Sequence, residues 1–188
     1  MAQSKLWFEY CGRTVTAAFV ALMAMSLTAC VHAGDQRPVG MTLLFLNVGT
    51  DGIGVKRFDP DGVRGPVPGA VGAGGGGKQM SFMPGDSQRG VPQFVEVEWS
   101  IWPASLNDEM NQTLYSRADK YSPGWRRDYE AFLARVVRHT RRIDLTPIIT
   151  PALIEQVRAD RANTQLKLTI RFNNDQVSIE ARAEKWRK

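Results

Sequence analysis

Several short stretches of this chain hold residues whose types and spacing could do chemistry. Gly72 to Lys78 places glycines and a lysine at the spacing of a phosphate-binding loop. Such a loop cradles phosphates with backbone N–H groups and needs a Ser or Thr hydroxyl after the lysine for magnesium. Residue 79 is Gln, and no helical pattern follows whose N-terminal dipole would hold an anion. The stretch therefore reads as a glycine loop, and no nucleotide is expected. Asp59-Pro60-Asp61-Gly62 begins like a calcium loop but lacks the later ligands and the closing glutamate, so it reads as a turn. Gly85-Asp86-Ser87 begins like an esterase nucleophile block, yet Gly-x-Ser-x-Gly occurs nowhere. His139 would be its only plausible base; the other histidine, His32, lies in a stretch that reads as a tether. With one histidine in the folded part and no cysteine beside it, a zinc site is not expected. The chain is thus expected to be no enzyme and to need no cofactor.

One cysteine does invite chemistry. Thr14 to Ala29 is a mostly apolar run preceded by Lys5 and Arg13, and it closes on Leu27-Thr28-Ala29-Cys30. It is shorter than the roughly 20 residues that span a bilayer core. A cationic start and a small-residue end mark a secretory signal peptide. The closing tetrapeptide resembles a bacterial lipobox. That resemblance implies cleavage before Cys30, a diacylglycerol on its thiol and acylation of the new amine. One acyl chain anchors marginally at about 0.8 kcal/mol per buried methylene, so three make the attachment effectively permanent. Val31 rather than aspartate follows the cysteine, which favours the periplasmic face of the outer membrane. Cys11 is lost with the signal peptide, leaving a folded domain without a disulfide that must be stabilised by packing alone.

The whole chain carries 24 Lys+Arg against 19 Asp+Glu, and removal of residues 1–29 leaves 22 against 18. This modest basic excess suits an acidic partner surface and is too small to argue nucleic acid binding. The organisation expected is a signal peptide over 1–29, a lipidated tether over 30–40 and a single periplasmic domain over 41–188.

The elements follow from periodicity. Thr42 to Val48 is a nearly continuous apolar run suited to a buried strand, and Ile53 to Phe58 is a weaker second strand. Asp59 to Lys78, rich in Gly and Pro, is expected to hold neither helix nor long strand, with pairing resuming over Gln79 to Met83. Val95, Val97, Trp99 and Ile101 alternate with Glu96, Glu98 and Ser100 as a half-buried strand ended by Pro103. Asn107 to Lys120 is polar and reads as either a helical turn or a loop. Ser122-Pro123 opens a helix expected to reach His139, with Trp125, Tyr129, Phe132, Leu133, Val136 and Val137 on one face. Arg141 to Leu145 is a candidate short strand, and Thr150-Pro151 opens a second helix. Leu166 to Ala181 alternates on both sides of Asn173-Asn174-Asp175 as a hairpin. Strands, then a helical insertion, then strands predict an α+β domain, mainly antiparallel and sandwich-like, with two inserted helices.

Arg126, Arg127, Arg135 and Arg138, with Arg141 and Arg142 beyond them, are the candidate contact residues, joined by Lys78 beside the glycine run. Arginine suits such contacts because its planar fork pairs with carboxylates.

The lipobox, Asn47-x-x-x-Asp51, Gly74-Gly75-Gly76-Gly77-Lys78 and Val95-Glu96-Val97-Glu98-Trp99 form an ordered set. Together they resemble a family of small proteobacterial lipoproteins, often encoded beside lipases delivered by type VI secretion, some of which look like immunity proteins for those lipases. The resemblance is best over Met41 to Ile101; where many members carry cysteines after the glycine run, Met80, Ser81 and Phe82 stand here. It implies a lipid-anchored protein that neutralises a phospholipase effector, with that effector as its partner. The alternative is a structural or assembly lipoprotein of the envelope or the secretion system.

Overall fold

In the computed structural model, which describes residues 39–82 and 90–186, the apolar run at the start of the domain forms β1 (Met41–Asn47). It has a strand on each side, β4 (Gly76–Phe82) antiparallel and β7 (Thr164–Asn173) parallel. Both faces of this strand are at least half-buried, Leu43 and Phe45 on one and Leu44 and Leu46 on the other, which accommodates a continuous apolar run. β8 (Gln176–Lys185) completes the first sheet in the order β4-β1-β7-β8. The second sheet is made of β2 (Gly52–Pro60), β3 (Gly69–Val71), β5 (Phe94–Trp102) and β6 (Val137–Asp144), in the order β3-β2-β5-β6. The chain is therefore an α+β, mainly antiparallel two-sheet sandwich, as expected. The parallel β1–β7 pair is the exception, and the entire second sheet lies between its strands in sequence.

The core lies between the sheets. Phe45 of β1 meets Phe58 of β2 edge-on at 5.3 Å, and Trp99 of β5 meets Phe172 of β7 at 5.6 Å. β5 keeps its expected alternation as far as Trp99: Val95, Val97 and Trp99 are buried, while Glu96 and Glu98 lie on the other face beside Arg57 at 3.6 and 3.8 Å. It breaks at the end, where Ser100 is buried and donates to Gly54 O, and Ile101 is only half-buried. The β7–β8 hairpin closes on Asn174-Asp175, with Asn174 at φ 54°, a left-handed position asparagine tolerates.

Three helices are present among the described residues: α1 (Ala104–Met110), α2 (Pro123–Leu133) and α3 (Pro151–Ala159). α1 runs into a π-helical segment, Asn111–Tyr115, so most of the ambiguous polar stretch is helical. Leu106, Met110 and Leu114 recur every four residues and are buried. Met110 and Leu114 join Trp125, with Trp102, Tyr129 and Phe132 packed around them, in a second cluster. The insertion thus rests on the end of β5, and Trp125 Nε1 donates to the Leu114 carbonyl at 3.0 Å. α3 packs on β7 and β8 and adds Val157 to the main core.

Both expected N-caps are formed: the Ser122 hydroxyl accepts from Trp125 N at 3.1 Å, and Thr150 Oγ1 accepts from Leu153 N at 3.3 Å. Ser122 also donates to Asp119, whose carboxyl is held down at about 2 by hydrogen bonds from Arg117 and Ser122. Arg117 also binds Asp128 at 2.6 Å, so one guanidinium ties the loop to the first turns of α2. Ser122→Ala is expected to cost about 1 kcal/mol of stability, read from the urea midpoint, and to loosen α2 before the sandwich.

Two expectations fail. α2 ends at Leu133, not near His139, and the residues from Val137 form β6, a longer strand than the expected Arg141 to Leu145. Val136 is buried but Val137 is 53% exposed, so the pair does not continue the helix face. β-branched residues here join a sheet, pairing Val137 with Ile101 of β5. The glycine run is also not loop throughout: Gly76 and Gly77 begin β4, opposite Asn47 and Leu46. A Cβ on Gly76 would collide with the Gly72 carbonyl oxygen, a backbone atom that cannot swing aside, which explains glycine at the start of that strand.

Candidate functional site: a basic edge strand

β6 borders β5 on one side and ends the second sheet on the other. Leu145 N donates to Gln93 O at 2.7 Å, just before the register Phe94↔Asp144. Antiparallel strands alternate bonded and non-bonded pairs. Val95–Ile143, Val97–Arg141 and Trp99–His139 are then the bonded pairs. The N–H and C=O groups of Arg138, Thr140 and Arg142 point away from β5, to the free edge. Six of the eight residues of β6 are exposed, which marks it as an uncovered edge.

The side chains give this edge one sign of charge. Arg138, Arg141 and Arg142 are all exposed on it. Among the described residues Arg138 has no hydrogen-bond or ion-pair partner. Arg141 reaches Gln176 at 3.3 Å, and Arg142 lies 3.9 Å from Glu96. The Arg142 guanidinium sits 3.6 Å from the centroid of the Phe94 ring, a cation–π contact that fixes it over an aromatic floor. There it borders an open hollow of about 450 Å³ lined by Gln93, Phe94, Arg142, Asp144 and Thr146. The Asp144 carboxylate accepts from Thr146 Oγ1 at 2.7 Å and Thr146 N at 2.9 Å. Those bonds hold its pKa below the ordinary carboxylate range, so it is spent on the turn rather than on arginine. The chemistry this edge offers is recognition of carboxylates and of extended backbone.

The candidate arginines are not one helix face. Arg126 and Arg127 are exposed on α2, whereas Arg138 lies on β6. Arg135 follows α2 and grips Glu109 through two bonds, at 2.9 and 2.7 Å, which bind the end of α2 to α1. Lys78 lies on β4 in the other sheet, and its Nζ donates to Pro68 O at 3.0 Å. The structure thus separates Lys78 and Arg135 from the edge and brings Arg141 and Arg142 to Arg138.

The other motifs are absorbed into architecture. Asn47 is fully buried; its Nδ2 donates to Asp51 O at 2.7 Å and its Oδ1 accepts from Gly49 N at 3.1 Å. Gly75 N donates to Asn47 O and Gly74 N to Gly49 O, with both glycines at positive φ. Asn47-x-x-x-Asp51 and the glycine run therefore meet at one turn, where backbone carbonyls occupy amides that a phosphate would need. Asp61 Oδ1 accepts from Gln93 N and Phe94 N, clamping its turn to the start of β5. His139 stacks on Trp99 at 5.2 Å, and its Nε2 is buried without a partner among the described residues. No group of three or more metal-ligating side chains occurs among the described residues, and no helix there is long and apolar enough to cross a membrane. Cys30, His32, Met83 and Gly85-Asp86-Ser87 lie outside the described residues. No family model, curated protein or solved structure matches this chain.

Proposed function

We propose that this chain is a lipid-anchored periplasmic immunity protein that binds and neutralises a phospholipase effector of type VI secretion. It blocks the active-site mouth or holds a lid in place. The observation that carries the reading is the exposed run Arg138, Arg141 and Arg142 on an open sheet edge, beside the hollow floored by Phe94. Arginine and aromatic side chains are the residues protein interfaces draw on most. A lipid tether at Cys30 would raise the local concentration of such a binder at the membrane the enzyme attacks.

The test is phospholipase activity of the lipase encoded beside the chain, measured with increasing amounts of it. A one-to-one loss of activity is expected, and the double variant Arg138→Glu/Arg142→Glu should need at least about tenfold more protein. Cys30→Ala should leave the membrane fraction and protect cells poorly while still inhibiting in solution. A lipase fully active at excess sinks the proposal. A deletion phenotype in cells lacking any such lipase would favour the structural or assembly role instead.

A further inference from the structure

We infer that the free edge of β6 receives an extended acidic segment of the partner protein, which adds a strand to the second sheet. The inference rests on the reading of the chain as a binding protein and names the surface and the chemistry of its partner. The edge offers an unbroken ladder: Arg138, Thr140 and Arg142 each present an N–H and a C=O outward, with no register shift along β5–β6. Strand addition uses such a row for affinity and the flanking side chains for selection.

The other sheet edges differ from β6 in length, composition or charge. β3 has only three residues. β4 starts with two glycines and a lysine turned back onto Pro68. β8 carries charges of both signs, paired within the strand as Arg182–Glu184 at 3.0 Å and with β7 as Arg171–Glu180 at 3.4 Å, so it selects no single sign of partner. β6 alone is long, regular and of one sign until Asp144. Charge on an edge deters pairing, but a single sign deters selectively. A second copy of β6 would set arginine against arginine, and an acidic strand would set carboxylate against arginine. Along an added strand, residues facing Arg138 and Arg142 share one face of the sheet, the face that carries Glu96 and Glu98. Arg141 lies on the other face, so acidic residues are selected on both sides of the incoming segment.

The experiment uses the full chain and a blocked synthetic peptide of repeating Thr-Glu-Glu, which places glutamate on both faces of a strand and is long enough to cover β6. Its counterpart replaces glutamate by lysine. Amide exchange followed by NMR is the readout. The glutamate peptide should slow exchange at Arg138, Thr140 and Arg142 while leaving His139 and Arg141, already bonded to β5, unchanged. The lysine peptide should slow none of them. Thr140→Pro removes one outward N–H without touching a β5 bond and should weaken the glutamate peptide roughly tenfold. Thr140→Val should bind as the parent does. Unchanged protection at Val95 and Val97 reports that the proline variant is folded; where it is not, Arg138→Glu/Arg142→Glu must show the same loss. Absence of protection by the glutamate peptide, or equal binding by the folded proline variant, overturns the inference. A lipase complex that forms and leaves these three amides unprotected overturns it as well, while the inhibitor reading stands. Peptide protection without lipase inhibition sinks only the inhibitor reading.

Discussion

Trp99→Ala is expected to lower the unfolding free energy by about 3–5 kcal/mol, the range for large aromatic truncations in packed cores. Trp99 is 1% exposed and is among the largest fully buried side chains of the sandwich. One side of its ring carries His139 of β6, stacked at 5.2 Å, and another meets Phe172 of β7 at 5.6 Å. Its Nε1 donates to Asn174 O at 3.0 Å, tying the middle of the second sheet to the hairpin turn of the first. Truncation leaves a cavity between the sheets and removes the donor from the Asn174 carbonyl, and both losses destabilise. A domain of this size has about 5–15 kcal/mol in total, so the variant is close to the threshold of folding. The same change withdraws the floor under His139, so β6 should lose order first. Urea denaturation gives the free energy, and amide exchange at Val97 and Arg141 shows where opening begins. Trp99→Phe keeps most of the volume and should lose about half as much. A loss below about 1 kcal/mol for the alanine variant would mean that the two sheets are not coupled through this ring.

The strands that bury one face were legible because burial imprints a period of two. Val95-Glu96-Val97-Glu98-Trp99 alternates in sequence and in the sandwich. Leu166 to Phe172 alternates in sequence, although Lys167 and Thr169 between the apolar residues are buried too. The starts of α2 and α3 were legible because a Ser or Thr followed by proline has a local job that needs no tertiary partner. Only the second half of β6, from Arg141, was legible; its start at Val137 was not, for the converse reason. Six of its eight residues are exposed, so burial leaves no period, and Val136 and Val137 happen to extend the spacing of the preceding helix. The parallel β1–β7 pair joins residues more than a hundred positions apart, which no local window contains. The beginning of β4 was hidden because Gly76 and Gly77 read as loop, although the Gly72 carbonyl, pressed against the place a Cβ on Gly76 would take, leaves no room for a side chain there. Leu106, Met110 and Leu114 did carry a helical spacing, and the polar residues between them masked it. For the site, the arginines were visible as residues. Their assembly on an edge was not, since it depends on where α2 stops.

Removal of the Glu184 carboxylate should destabilise the hairpin by about 2–3 kcal/mol, a little under the 3–5 kcal/mol for breaking a fully buried pair. Lys167 of β7 has a side chain only 9% exposed, and its Nζ lies 2.8 Å from Glu184 Oε1. Among the described residues Glu184 is the one side-chain acceptor bonded to the Lys167 ammonium. Glu184→Ala therefore leaves an ammonium with little water and no carboxylate. Glu184 itself keeps 21% exposure, which is why the full penalty is not reached. Glu184→Gln retains an acceptor and should recover part of the loss. The pH dependence follows from the direction of the carboxyl shift. The Lys167 hydrogen bond, aided by Arg182, holds Glu184 below its ordinary value of 4.5 against the opposing effect of burial. A carboxyl with a lowered folded pKa contributes stability above its unfolded pKa and loses it as pH falls through the folded one. The gap between parent and Glu184→Ala should thus be full at pH 7 and narrow progressively below about 4.5. Urea midpoints at neutral and acidic pH measure it. A gap that stays constant into acid would assign the loss to packing of the glutamate stem rather than to its charge.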